Sequence, residues 1–378
     1  MIDNMAWYHL KDPDTIDSPA LLINPELVKH NIRETVRIVS DVQRLRPHVK
    51  THKMRAVTDL LLAEGITKFK CATLKEAQML AEAGAADVLL AYPVVGPKAM
   101  RLRQLTEEFP ATRFGCLVDS EAGATYLSAV FADAPKPIDG WIDLNVGMNR
   151  TGISPDAAPG LATFIQQLPG LTRPGQTWPG LNLTGLHAYD GHIRDTDFTI
   201  RCQRADGSFA LAMKVQQQIQ ENHDLSLPIV MGGTPSFSAH ARRTDPSMQL
   251  SPGTFVFWDA GYGQILPDLP YKYAAVLLTR VISIIDDQTL CIDLGHKSVA
   301  AENPFPRVIF PDHPDATPIG QSEEHLVVQI PNARAHQPGD VWYGIPIHIC
   351  PTVNLYDAVS VVENGRVTGE WVVTARGH

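Results

Sequence analysis

Between about residue 20 and residue 260 the chain alternates short apolar runs of β type with longer stretches whose apolar residues recur at helical spacing. No other feature restricts the fold as much. Leu21-Leu22-Ile23 precedes a helical window from Pro25 to Val39, and Val42 to Val49 reads as the next strand, followed by a helix from Met54 to Ala63. The pattern continues through strands at Lys68–Ala72, Val88–Tyr92, Phe114–Val118, Trp141–Val146, Leu183–Tyr189 and Pro228–Met231. A helical window follows each, the longest from Phe198 to Gln220. Strands alternating with helices of this length build right-handed βαβ units on a parallel sheet. Roughly eight repeats favour a closed (β/α)8 barrel of TIM type over an open sheet.

After about residue 265 the texture changes. Tyr273–Ile285, Thr289–Asp293, Leu326–Ile330, Val341–Ile349 and Val359–Val373 are β-rich, with Asp-Asp, Asn-Gly and Pro-Gly-Asp turn signals between them. A barrel takes about 250 residues. The 378-residue chain therefore divides into a barrel over 16–265 and an all-β domain over 266–378.

Composition excludes several classes of partner. The net charge is −9 and there is no basic stripe, so nucleic acid is not expected. No apolar run reaches the roughly 20 residues that span a bilayer, and the first residues lack the basic and apolar regions of a secretory signal. Five cysteines, Cys71, Cys116, Cys202, Cys291 and Cys350, form no regular framework and suit a reducing cytoplasm.

The densest chemistry lies in Arg46-Pro47-His48-Val49-Lys50-Thr51-His52-Lys53. A lysine at the mouth of a strand among cationic neighbours is placed to have a depressed pKa, and only a neutral amine attacks an aldehyde. The plain alternative is a solvated basic turn. Catalytic groups of a barrel sit at the C-terminal ends of its strands. Thr73, Tyr92, the loop Asn145–Gly152, the segment His187–His192 and the turn Gly232-Gly233-Thr234-Pro235-Ser236 all occupy such ends. Two glycines and two hydroxyls before a helix can converge on an anion, although a simple hydroxyl cap after a glycine turn is the commoner meaning. In the β-rich region, His348 and Cys350 would project to one face of a strand and could bind one cation. A small buried cysteine beside a hydrogen-bonded histidine is the alternative.

The Arg-Pro-His-x-Lys-x-His-Lys stretch resembles the pyridoxal-lysine signature of the metal-dependent D-threonine aldolases and eukaryotic-type D-serine dehydratases, relatives of alanine racemase. The likeness runs from Asp17-Ser18-Pro19 to Ala375-Arg376-Gly377. It implies that Lys50 carries pyridoxal 5'-phosphate, that Arg150 and Tyr189 neighbour the cofactor, and that Gly232, Gly233 and Thr234 hold its phosphate. It also implies that residues 1–15 join the β-domain, that His348 and Cys350 are the metal pair, and that the protein is a homodimer. Imidazole with thiolate favours zinc over magnesium, with manganese a further candidate. His-x-Cys is closer to the dehydratases, since D-threonine aldolases carry His-x-Asp there. Asp293–Ser298 and Asn354–Asp357 are closer to the aldolases, and Ser322–His325 is similar to both.

What the resemblance implies is a lyase acting on D-β-hydroxy amino acids. The cofactor is an electron sink at Cα and the metal a Lewis acid for the β-hydroxyl. Retro-aldol cleavage to glycine and an aldehyde needs a base, for which His192 or a metal-bound water is the candidate. In a dehydratase, Lys50 would take the Cα proton, giving a 2-oxo acid and ammonia. An amino acid racemase would need two opposed acid/base groups and no metal. A non-catalytic pyridoxal phosphate carrier would resemble the barrel alone.

Overall fold

The computed structural model describes residues 7–168, 171–173, 176–178 and 180–378. It comprises two compact units. One takes the chain through Thr35, Thr51–Leu60 and Thr254–Gly377; the other takes Val36–Lys50, Leu61–Gly253 and His378.

The second unit is the barrel. Seven parallel strands, Lys68–Cys71, Asp87–Pro93, Arg113–Val118, Ile138–Leu144, Leu181–Ala188, Ile229–Met231 and Met248–Leu250, pair in that order. The gap between the first and the last is closed by residues 45–48, where Leu45 bridges Leu250 and His48 bridges Lys70, both in parallel. The N–H groups of Arg46 and His48 donate to Leu250 O and Pro252 O at 2.8 and 2.9 Å, and Lys70 N donates to Pro47 O at 2.9 Å. The eighth stave is thus irregular, where the sequence predicts a strand over Val42–Val49. Asp41 accepts from Gln43 N and winds Val42–Arg44 into a 3-10 turn, and Pro47 has no N–H to give a ladder.

The interior is filled by large and small residues in alternation. Leu89, Leu117, Trp141 and Val230 form one cluster. The Trp141 indole fits because its neighbours are glycines: a Cβ at Gly185 would stand 2.4 Å from its ring and one at Gly115 2.9 Å. Arg46 is fully buried and lies over that ring at 5.3 Å. It forks onto Asp87 at 2.6 and 3.0 Å and reaches Gln249 at 2.6 Å. One side chain therefore ties the closing segment to strands on both sides of the gap.

The other unit is a mixed sheet. Its long strand Ala275–Ile284 pairs antiparallel with Ala20–Ile23, Thr289–Ile292 and Val341–Pro346. Ala20–Ile23 also runs parallel to Ala358–Glu363. Leu21–Ile23, read from the sequence as the first barrel strand, therefore belongs to this sheet instead. Ala358–Glu363 and Arg366–Val372 form a hairpin whose turn, Asn364-Gly365, holds both residues at positive φ (53° and 72°), as an Asn-Gly hairpin requires. Tyr8, Leu22, Val276, Leu278, Tyr343, Ile345 and Val362 share its core. Of residues 1–15, which the sequence assigns to the β-domain, 1–6 lie outside the described residues. Among the described residues no helix is long and apolar enough to cross a membrane, and all five cysteines are buried and outside any disulfide.

Truncating Arg46 to alanine removes the pair that holds the barrel closed and leaves Asp87 and Gln249 without it. The expected loss is about 3 kcal/mol, read as a lowered urea midpoint at unchanged m-value.

Candidate active site

The polar groups of the barrel converge where its strands end. Lys50 leaves the closing segment in the 3-10 turn Val49–Thr51, half-buried, its N–H donating to His48 Nδ1 at 3.3 Å. Lys70, the penultimate residue of its strand, is 2% exposed. Burial, then the like charge of Lys50 and further Arg150, outweigh Asp143 and Asp190 and hold the Lys70 amine down at about 7. Sequence reasoning, which looked to the Arg-Pro-His motif, missed this amine. The available signal was a lysine facing inward near the end of a strand buried on both faces.

The segment after strand Leu181–Ala188 distributes its side chains one by one. His187 Nδ1 donates to Asp143 Oδ1 at 2.7 Å, and Thr151 donates to Asp143 Oδ2 at 2.8 Å. Burial opposes the charge on Asp143, but these bonds and the His187 ring outweigh it and keep the carboxyl below its ordinary value. Burial lowers His187, and its Nε2 is buried with no hydrogen-bond partner. The Tyr189 ring lies under two cations, Lys70 at 5.7 Å and Arg150 at 5.0 Å. Asp190, fully buried, accepts from Ser236 at 2.5 Å and from His240 at 2.7 Å. His192 packs on Gly147: a Cβ there would stand 2.7 Å from its Nε2, and Gly147 has φ +121°. The His192 Nδ1 is buried and unpartnered.

Arg150 rides on the loop Asn145–Gly152. Asn145 Oδ1 accepts from Gly147 N and Asn149 N at 3.2 and 3.1 Å. Gly152, at φ +102°, has Asn145 N 2.8 Å from where a Cβ would be. Gly232 and Gly233 are crowded by Ser236 and Tyr189 respectively. Gly253 N, which the sequence reading passed over, donates to Thr234 Oγ1 at 3.0 Å and joins this turn to the end of the last strand. The helix expected after the turn has only five residues, Phe237–Ala241, and Ser236 at its N-cap makes no capping bond. Thr73 serves as the cap of helix Leu74–Glu82, and Tyr92 stacks under Lys98 at 4.8 Å. Lys50, Arg150 and Tyr189 thus share one neighbour, Lys70. The bare backbone at Gly233 and the unpartnered nitrogens of His187 and His192 fit a flat, anionic ring compound attached through a lysine.

In the β unit, His348 and Cys350 do not lie on one strand. His348 is extended and caps the short helix Ile349–Val353, whose first turn carries Cys350; Pro346 ends the strand before them. The turn still sets the Cys350 thiol where it favours the charged form of the His348 ring. Glu302 lies 2.5 Å from His348 Nδ1. Thr51, the residue after Lys50, has its Oγ1 3.1 Å from Cys350 Sγ. Asp259 accepts from Ile349 N at 3.1 Å and fixes the turn; burial raises it to about 6. Burial works against a charged His348, yet Cys350 and Glu302 outweigh it and push the ring up to about 9. Among the described residues no group of three or more His, Cys, Asp or Glu could hold a metal. The pair suits a cation that takes its remaining ligands from water or substrate. Of the other motifs of the resemblance, Asp293 accepts from Thr279 at 2.5 Å and Arg280 N at 2.8 Å.

Residues 23–258 match the family described as alanine racemase, N-terminal domain, and residues 274–362 the putative serine dehydratase domain. A D-threonine aldolase from Arthrobacter sp is 30% identical over 370 residues, 96% of this chain and 93% of that protein. The chain belongs to the D-threonine aldolase family. The crystal structure of D-threonine aldolase from Filomicrobium marinum has a TM-score of 0.84 at 28% identity, covering 96% of both chains. D-threo-3-hydroxyaspartate dehydratase from Delftia sp. (strain HT23) is 28% identical over 255 residues, 65% of this chain and 62% of its own. This member of the family is a pyridoxal phosphate-dependent lyase.

Two outcomes are expected. Gly233→Ala pushes on the Tyr189 ring, 2.7 Å from the new Cβ; cofactor affinity by absorbance titration falls about tenfold with the fold intact by circular dichroism. Lys70 is depressed from 10.5 to about 7 in the folded chain, so the unfolded chain binds more protons between those values. Stability therefore rises with pH across that window, and the burial penalty is fully present below 7. Lys70→Met should stabilise the cofactor-free protein at pH 6 by on the order of 2–4 kcal/mol, a gain that shrinks toward pH 10 in urea unfolding.

Proposed function

We propose that this chain is a pyridoxal phosphate- and divalent metal-dependent lyase of D-β-hydroxy amino acids, cleaving D-threonine-type substrates to glycine and an aldehyde. The observation that carries this reading is the likeness to D-threonine aldolase over 96% of the chain, with Lys50 at the end of the barrel's closing segment. Lys50 would hold the cofactor, Arg150 and Tyr189 would neighbour it, and Gly232, Gly233 and Thr234 would take its phosphate. When bound, the cofactor supplies an electron sink for charge at Cα, and a cation on His348 and Cys350 supplies a Lewis acid for the β-hydroxyl. His192, with its unpartnered Nδ1, is the proposed acceptor of the β-hydroxyl proton. Glu302 at Nδ1 of His348 orients that ring and leaves Nε2 to the metal.

The His-x-Cys pair at 348 and 350 favours a second reading, a dehydratase giving a 2-oxo acid and ammonia, with Lys50 taking the Cα proton. Zinc is the first candidate metal on such a pair and manganese the second. A homodimer in a reducing cytoplasm completes the proposal, in keeping with five cysteines outside any disulfide.

Assaying D-threonine decides between the two reactions: glycine with acetaldehyde supports the aldolase, 2-oxobutyrate with ammonia the dehydratase. Lys50→Ala should abolish turnover and the borohydride-trapped adduct at that position. His348→Ala should abolish turnover while leaving the cofactor absorbance. Activity that persists after thorough chelation would refute the metal's part.

A further inference from the structure

Lysine is almost never fully buried unless paired, yet Lys70 is 2% exposed and its Nζ makes no hydrogen bond or ion pair with any described residue. It lies over the Tyr189 ring at 5.7 Å. The carboxylates in range are already engaged. Asp143 is taken by His187 and Thr151, and Asp190 by Ser236 and His240. The other charges that act on the amine are the cations Lys50 and Arg150, and Lys70 in turn disfavours charge on His187. On its own strand, Phe69 and Cys71 are buried apolar neighbours, and on the closing segment its backbone bridge partner is His48. A structural lysine would have been given an acceptor; three N–H donors among cations lack an anion.

We propose that Lys70 is a further cofactor-binding residue: its buried amine takes up a proton from solvent as anionic pyridoxal phosphate binds, and the resulting ammonium supplies charge to that ligand. This rests on the reading that the barrel holds the cofactor. The amine lies near neutrality without ligand, so an anion brought close raises its proton affinity. Binding is then strongest where the amine is already charged and weakens as the pH rises above that point.

The test uses the full chain stripped of cofactor and 4-deoxypyridoxine 5'-phosphate, which lacks the aldehyde and so bypasses attachment to Lys50. Calorimetric titration is run between about pH 6.5 and about pH 8.5, where uptake of one proton approaches a tenfold loss of affinity per pH unit. Lys70→Met should bind about tenfold more weakly at the lower pH and show a shallower slope than the wild type, the difference being the Lys70 proton. Lys70→Arg, whose charge is permanent, should keep the affinity and lose the same part of the slope; it decides the matter should the methionine variant not fold. Equal affinity and an unchanged slope in the variants overturn the inference while leaving the cofactor reading intact. A wild type that binds neither the analogue nor pyridoxal phosphate overturns both.

Discussion

Everything in the barrel unit depends on Arg46. A (β/α)8 sheet must close, and here the closing stave has no continuous ladder: two isolated bridges, Leu45 with Leu250 and His48 with Lys70, do the pairing. The Arg46 guanidinium supplies what the ladder lacks, binding Asp87 on one side of the gap and Gln249 on the other beneath the Trp141 ring. A planar group with five donors can satisfy several acceptors at once inside a core, which an ammonium cannot. Because the segment is pinned there rather than along its length, its continuation is free to turn at Val49–Thr51 and leave Lys50 at the strand ends.

Charge in that site is arranged so that the carboxylates are satisfied and the cations are not. Asp143 and Asp190 each take two donors, while Lys70 takes none. A site assembled only for stability would do the reverse, since an unpaired buried ion costs more than an apolar residue of the same shape. The imbalance is intelligible in a lyase that binds an anionic cofactor, where stability given up in the empty protein returns on binding. In the β unit, similarly, Cys350 and Glu302 favour charge on His348, and Asp259 keeps the turn that presents them.

Much of this was legible in residue order. The alternation of apolar runs announced the barrel strands from Lys68 through Met231 and the helices between them, because period 2 and period 3.6 are local properties of the chain; the last strand, Met248–Leu250, went unread. Asn364-Gly365 announced its hairpin for the same reason. Lys50, Arg150 and Tyr189 were found from motifs, and the structure places all three around Lys70. Two strands were misread. Val42–Val49 has apolar residues in the right number, but Asp41 and Pro47 decide its backbone. Leu21–Ile23 is as apolar as a barrel strand, and its pairing with Ala275–Leu278 lies some 250 residues away (275 − 23 = 252).

The sequence by itself determined the alternation of strands and helices and the motifs, Lys50 among them, that carry the family resemblance, since these lie in residues close together in the chain. The tertiary structure alone decided that Lys70 is a buried, unpartnered amine, that Asp190 gathers Ser236 and His240, and that a strand-to-helix turn presents His348 and Cys350. Burial and field depend on what distant segments bring to a point, and no local pattern in the chain encodes them.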